Sequence, residues 1–242
     1  MGMRAKAVVA RALLVTGLLA ACAAAGGTGI QAGEAASTAT PRFTNPTSID
    51  NPYLPLTKFR RCELRGVEGG HQMRIVRTLL DRTEPFRVGG RTVRVAVIED
   101  RDIRDGELVE RTLDYFGQAD DGTVYYFGED VDDYSGGSIV GHGGEWRYGR
   151  DTNVLGVAMP GRPRVGATFR FEYVPGITIE SDRIVAHLKQ NRVRGRTYTD
   201  VIRIRESLSI EGTAENKLYA RGVGTILELP PDGRMELVRC VV

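Results

Sequence analysis

The sequence predicts an all-β protein, an antiparallel meander of at least about ten strands that forms a curved sheet, half-barrel or barrel with little helix. Apolar and polar residues alternate in many short runs, which is typical of strands with one face on a core and the other in water. Gly-Gly and Asp-Gly steps separate these runs and suit tight hairpin turns, since both tolerate positive φ. Sheets of this kind must bury their apolar face by closing or by curling.

Residues 1–21 have the order of a secretory signal peptide. Arg4, Lys6 and Arg11 precede a short apolar run, and small residues precede Cys22. The run is shorter than the roughly 20 apolar residues that a membrane span needs. A Cys directly after the cut can be lipidated, so we expect an exported protein anchored to the cell membrane through lipid on Cys22 and facing the extracytoplasmic side. Cleavage after a neighbouring alanine, giving a secreted protein, is the alternative.

Two further regions follow the signal. Residues 22–43 are small and polar and predict a lipidated N-terminus with a flexible tether. Residues 44–242 predict a single β-rich domain, which opens with a proline-containing segment that cannot be regular helix. Residues 181–190 fit either a strand or a helix.

The strand and turn signals recur along this domain. The clearest alternating runs are residues 73–75, 93–97, 169–173 and 202–204. The turn signals between runs are Gly89-Gly90, Asp105-Gly106, Asp121-Gly122 and Asp232-Gly233. Together they favour hairpins between sequential strands.

The chain has 3 cysteines. If Cys22 carries lipid, Cys62 and Cys240 remain as a pair that an oxidising compartment allows to form a disulfide. Such a bridge would tie the first strand of the domain to the last. Two buried free thiols are the alternative.

Charge argues against a nucleic-acid partner. Removing Arg4, Lys6 and Arg11 with the signal leaves 30 of the 33 basic residues against 31 acidic ones. The mature chain is therefore near neutral and lacks the basic stripe of a nucleic-acid binder. G-x-S-x-G, P-loop, dinucleotide and C-x-x-C motifs are absent, so we expect no cofactor.

Several segments resemble a family of uncharacterised exported and lipoprotein-like proteins of bacteria. They are residues 51–56 (NPYLPL), 105–110 (DGELVE), 114–118 (DYFGQ), 126–130 (YFGED), 144–146 (GEW) and 159–160 (MP). The resemblance covers about residues 45–182 and implies no established activity. Residues 218–229 are loosely similar to the closing strands of curved-sheet lipoproteins that carry acyl chains.

A curved sheet can hold a ligand, and this leads to the first hypothesis: a lipid-anchored extracytoplasmic binding module with a cavity for an apolar or amphipathic small molecule. The aromatic residues expected to line it in part are Tyr115, Tyr126, Phe169, Phe171 and Tyr173. A filled barrel or sandwich is the alternative architecture. The second hypothesis is a structural lipoprotein that binds another envelope protein through exposed strands or acidic loops.

An acidic segment follows the aromatic strand. Glu129, Asp130, Asp132 and Asp133 could offer oxygen ligands to Ca²⁺. The D-x-[DN]-x-[DN]-G spacing of a calcium loop is absent, and a solvated acidic turn explains the same pattern.

Two patterns could support catalysis, although we expect a protein that is not an enzyme. His142 and Glu145 lie three residues apart and could serve an envelope hydrolase as acid and base, but glycines surround them and no zinc-protease motif is present. The acids of residues 99–110 could include a glycosidase pair. Cross-strand ion pairs are the ordinary explanation of that segment.

Overall fold

The computed structural model describes residues 40–210 and 212–242. The predicted signal peptide, the lipidation site Cys22 and most of the predicted tether lie outside the described residues. Within the described residues, no helix is long and apolar enough to cross a membrane.

The all-β prediction is confirmed. The described residues form fourteen strands in one antiparallel sheet that is not closed into a barrel. The strands are β1 (Arg61–Glu68), β2 (His71–Val88), β3 (Arg91–Arg104), β4 (Glu107–Gln118), β5 (Val124–Ser135), β6 (Ser138–Gly141), β7 (Trp146–Arg147), β8 (Gly156–Met159), β9 (Thr168–Val174), β10 (Thr178–Val193), β11 (Arg196–Leu208), β12 (Thr213–Ala220), β13 (Gly224–Leu229) and β14 (Gly233–Val241). Residues 181–190, which fitted either strand or helix, lie within β10.

The sheet consists of two meanders, which are joined where β1, the first strand of the chain, pairs with β14, the last. Its order is β6-β5-β4-β3-β2-β1-β14-β13-β12-β11-β10-β9, and the short strands β7 and β8 pair with β5. One meander therefore runs outward from β1 and the other runs outward from β14. Sequential strands pair because the turns between them are short, as the glycine signals predicted.

The Asp105-Gly106 turn shows how sequence sets these hairpins. It joins β3 to β4 and has positive φ at both residues, 49° and 92°. Two positive φ values define the type I′ turn, whose twist matches that of paired strands. The side chain of Asp105 also accepts a hydrogen bond from Gln72 N at 2.9 Å, which ties the turn to the start of β2.

The far ends of the two meanders come close at β8 and β9. Gly156 of β8 pairs with Tyr126 of β5, and its Cα faces Phe171 of β9. A Cβ at Gly156 would lie 2.0 Å from Phe171 O, so this approach requires glycine. The curled sheet is thus nearly continuous around a central space.

The segment before β1 packs against this space. Ile49, Tyr53 and Leu54 are buried and belong to the apolar cluster that contains Tyr126, Trp146 and Ile204. Asn51 Nδ2 donates to Gly122 O at 2.9 Å and to Pro160 O at 3.1 Å. The proline-containing segment is therefore fixed in place, and it folds as successive turns at residues 46–47, 52–53 and 56–58 without regular helix.

Apolar residues on the other face of the first meander form a separate core. Its members are Phe86, Val88, Val93, Val95, Val97, Tyr115 and Phe127. Phe43, Tyr148 and Leu155 pack against them from outside the sheet strands. Both faces of β3 to β5 are therefore partly buried, which a simple inside-outside alternation does not predict.

The predicted disulfide is confirmed. Cys62 in β1 lies directly opposite Cys240 in β14, and the two are bridged. The bridge links strands that are 178 residues apart in sequence and neighbours in the sheet.

Candidate ligand-binding cavity

The concave side of the sheet encloses a cavity of about 360 Å³. Strands β2 to β5 form one wall and β9 to β13 form the other, while Leu54 and Leu56 contribute from the segment before β1. Known small-molecule sites are concave and of comparable size, about 300–1,000 Å³. The architecture therefore provides a space in which a small molecule can bind.

The lining is strongly acidic. Eleven carboxylic side chains face the cavity with only two basic ones, Arg77 and Lys217. The acids are Glu68, Asp100, Asp102, Glu110, Asp114, Glu129, Glu172, Glu180, Glu206, Glu215 and Glu228. Strand alternation produces this concentration, because acids two residues apart project to the same face.

β3 illustrates the alternation. Asp100 and Asp102 face the cavity. Glu99 lies on the opposite face of β3, where its Oε2 accepts a hydrogen bond from Arg111 Nε of β4 at 2.7 Å. Arg77 lies directly opposite Asp100, and Nη2 to Oδ2 is 2.7 Å. The cross-strand ion pairs expected for residues 99–110 are therefore present, but three of the acids, Asp100, Asp102 and Glu110, line the cavity.

Acidic residues also lie directly opposite one another on neighbouring strands. Asp102 of β3 pairs with Glu110 of β4. Asp182 of β10 pairs with Glu206 of β11, which pairs in turn with Glu215 of β12. Directly opposed like charges destabilise a sheet. These rows therefore oppose the stability of the sheet when their members are ionised.

Burial and mutual repulsion keep several of these carboxyl groups protonated. Burial, reinforced by the charges of Asp100 and Glu228, raises the pKa of Asp102 to about 8. Burial, reinforced by Asp102 and Asp133, raises the pKa of Glu110 to about 9. At neutral pH the cavity therefore holds protons that a bound cation would displace.

Lys217 supplies the positive charge on the second wall. Its Nζ lies 2.8 Å from Glu206 Oε2 and 3.4 Å from Glu215 Oε1. Burial opposes ionisation of this amine, but the two carboxylates outweigh it and the pKa of Lys217 rises well above its usual range. The ammonium group of Lys217 thus forms ion pairs with at least two carboxylates.

Aromatic rings line part of the first wall. Tyr126 stacks on Phe116 with ring centroids 4.7 Å apart and on Phe171 with centroids 4.9 Å apart. Its hydroxyl donates to Asp114 Oδ1 at 2.7 Å. This aromatic stack lies among Asp114, Glu129 and Glu172, whose charges raise the pKa of Tyr126 further after burial.

Of the five aromatic residues expected to line a cavity, the structure brings only some together. Tyr126 and Phe171 line it, and Phe169 packs against the same cluster. Tyr115 lies on the opposite face of the sheet, where its hydroxyl donates to Asp130 at 2.6 Å. Tyr173 stacks under the Arg170 guanidinium, 4.6 Å from the ring centroid.

A β-bulge in β9 explains why Tyr173 does not line the cavity. The pairing with β10 shifts register between Glu180 and Ser181, so Glu172 lies opposite Glu180 and Arg170 opposite Ser181. Phe171 is the extra residue, and the alternation changes phase there. As a result Phe171 and Glu172 both line the cavity and Tyr173 does not.

The predicted acidic metal segment is divided between the two faces of β5. Glu129 lines the cavity, whereas Asp130 binds Arg147, Nε to Oδ1 at 2.7 Å. Asp132 lies 3.4 Å from Arg111, and Asp133 accepts from Gly143 N at 2.8 Å. The four carboxyl groups have separate partners and do not converge.

His142 and Glu145 also have different partners. The His142 ring contacts Val131 O at 2.6 Å and Asp132 Oδ1 at 3.4 Å. Glu145 pairs with Arg150 at 3.2 Å. Their side chains are not joined as an acid–base pair, and His71 and His187 bind other residues, Asp105 and Asp200.

The sequence interpretation missed the acids of the second wall. Glu180, Asp182, Glu206 and Glu215 lie in predicted strand regions, where charged residues were expected to face water. A usable signal was present in Glu180 and Asp182, two acids at alternate positions of one strand. The direction of sheet curvature, which decides which face is inside, was not readable from either strand alone.

Fold and site together define a protein with a curled antiparallel sheet and an acid-lined central cavity. Comparison with protein-family models, with curated proteins and with solved structures finds no match.

Proposed function

We propose that the protein is an extracytoplasmic binding module that holds an organic cation in the cavity of its curled sheet. The observation that carries this proposal is the lining, in which eleven acids and two basic residues surround a space of about 360 Å³. Buried carboxyl groups become charged more readily when a cation lies beside them, so this lining favours a positively charged occupant.

The aromatic stack narrows the class of ligand. Phe116 and Phe171, half-buried rings that both stack on Tyr126, line the cavity together with Asp114 and Glu129. An aromatic face attracts a cation by about 0.5–2 kcal/mol, and a buried carboxylate adds a charge-assisted hydrogen bond. A molecule that combines an apolar body with an ammonium group matches both, which specifies the amphipathic ligand expected from the sequence.

The proposed place of action is the cell envelope. The signal-like order of residues 1–21 and the position of Cys22 support export and a lipid anchor. The disulfide supports the same proposal, because such bridges persist in oxidising compartments. In this arrangement the domain would bind its ligand outside the cytoplasm while it remains attached to the membrane.

Calorimetry with three probes of similar shape tests the proposal. The probes are 2-phenylethylamine as the cation, 2-phenylethanol as the neutral analogue and 3-phenylpropionate as the anion, each titrated into the mature protein at pH 7.5. We expect binding of the cation alone. Protons released on binding should make the observed heat vary with the ionisation enthalpy of the buffer. Equal binding of the neutral probe, or binding of none of the three, would overturn the proposal.

Variants identify the binding group. Glu129→Gln removes a buried acid beside Tyr126 and should weaken cation binding about 10- to 100-fold, the equivalent of a charge-assisted hydrogen bond of about 1.5–3 kcal/mol. Glu107→Gln changes an exposed acid at the start of β4 and serves as the matched control, with unchanged affinity.

A further inference from the structure

Three carboxyl groups converge on the second wall of the cavity. Glu180, Asp182 and Glu206 each place one oxygen so that all three oxygens lie within 4.8 Å of one another. Glu180 and Asp182 occupy alternate positions of β10, and Glu206 lies directly opposite Asp182 on β11. We call these residues the carboxylate triad.

The triad is buried. Glu180, Asp182 and Glu206 are 8 %, 2 % and 3 % exposed. Carboxyl groups at such positions are normally fully hydrogen-bonded or paired with cations. Asp182 Oδ1 has no hydrogen-bond partner, although it is shielded from solvent. An unpaired buried oxygen in a group of converging acids points to a cation as its partner.

Charge around the triad is incompletely balanced. Lys217 contacts Glu206, Nζ to Oε2 at 2.8 Å, and contributes one positive charge. Glu172 and Glu215 are the other acids whose charges reach the triad. Once a cation displaces their protons, the three carboxylates with one ammonium would carry a net charge of two negative units, which a divalent cation would neutralise.

We propose that the carboxylate triad binds Ca²⁺. The donors are all carboxylate oxygens, the ligands of hard cations such as Ca²⁺ and Mg²⁺ in preference to thiophilic metals. Three oxygens within 4.8 Å of one another can share one ion with bonds of about 2.3–2.6 Å, the range of Ca²⁺. Water would complete the 6–8 ligands that Ca²⁺ takes.

The site goes beyond the proposed binding of an organic cation and does not depend on it. Phe116, Tyr126 and Glu129 belong to β4 and β5, whereas the triad belongs to β10 and β11. A bound Ca²⁺ would join two neighbouring strands whose directly opposed acids otherwise repel. It would therefore fix the shape of the wall that faces the aromatic stack.

The test uses the mature protein after treatment with EGTA and removal of the chelator. Calorimetry and native mass spectrometry at pH 7.5 should show one Ca²⁺ bound with a Kd of about 10⁻³ M or tighter, and Ca²⁺ should raise the Tm. Mg²⁺ at equal concentration should bind at least about tenfold more weakly because it demands near-ideal octahedral geometry and gives up its water reluctantly. Tighter binding of Mg²⁺ than of Ca²⁺, or no Ca²⁺ binding at millimolar concentration, would overturn the proposal.

Two variants separate this site from the organic-cation site. Asp182→Asn keeps the side-chain shape and should abolish Ca²⁺ binding while 2-phenylethylamine binding is retained. Glu129→Gln should retain Ca²⁺ binding and weaken the amine. Unchanged Ca²⁺ affinity in Asp182→Asn would contradict the triad even if the organic cation binds as proposed. The circular dichroism spectrum and Tm of each metal-free variant establish that it is folded.

Discussion

The directly opposed pair Asp102 and Glu110 predicts that the ligand-free protein loses stability as pH rises from 5 to 7. Glu110 is 6 % exposed, and its pKa is raised from an ordinary 4.5 to about 9. The folded protein therefore keeps a proton on Glu110 in a pH range where the unfolded chain has lost it. Because the folded state binds more protons, its stability falls with rising pH throughout this window.

The contribution of Glu110 follows from its one proton, and Asp102, with a pKa of about 8, acts in the same direction. From Glu110 alone, each pH unit inside the window costs about 1.4 kcal/mol, so two units cost about 2.7 kcal/mol. For a domain of this size 1 kcal/mol changes Tm by about 2–4 °C, which gives a decrease of about 5–11 °C between pH 5 and pH 7. That loss is a large fraction of a typical total stability of about 5–15 kcal/mol.

Urea unfolding at pH 5, 6 and 7 measures this effect in the wild type and in Glu110→Gln, with EGTA present. The Gln side chain cannot ionise. Between pH 5 and pH 7 the Glu110→Gln variant should therefore lose about 1.4 kcal/mol less stability per pH unit than the wild type. Glu107→Gln, an exposed acid of the same strand, should keep the wild-type pH profile. If Glu110→Gln has the same pH profile as the wild type, the assignment of a retained proton to Glu110 is wrong.

Two other predictions concern covalent features. Replacing Cys62 and Cys240 by alanine should lower the free energy of unfolding by up to about 5 kcal/mol, because the bridge closes a loop of 178 residues. Unfolding midpoints with and without reductant measure this effect, and an unchanged midpoint would contradict it. Cys22→Ala should abolish incorporation of a radiolabelled fatty acid in the producing cells and move the protein from the membrane fraction to the soluble fraction. A labelled Cys22→Ala variant would show that lipid is attached elsewhere.

The sequence predicted the fold closely because local signals determine a meander. Alternation identified the strands and glycine-containing turns such as Asp105-Gly106 identified their connections, so neighbours in sequence became neighbours in the sheet. The disulfide was predictable by elimination among three cysteines. Residues 181–190 were ambiguous because the alternation there includes a buried acid, Asp182, and is interrupted by a register shift between Ile184 and Ala186.

The character of the cavity could not be predicted in the same way. Alternation predicts that Asp100 and Asp102 share one face of β3. Only the curvature of the whole sheet makes that face the one that lines the cavity. Tyr115 and Tyr126 were both expected to line the cavity, yet they lie on opposite faces of neighbouring strands. Tyr173 was displaced by a one-residue bulge, which leaves no clear mark in the sequence.

The pairing of β1 with β14 determines when the sheet can be completed. During synthesis the hairpins of β1 to β6 can form from local contacts, but β1 acquires its second neighbour only after β14 has been made. Until then β1 is a free edge with unpaired backbone groups and an unbridged Cys62. Unfinished chains are therefore the species most exposed to pairing with another molecule and to forming a mixed disulfide.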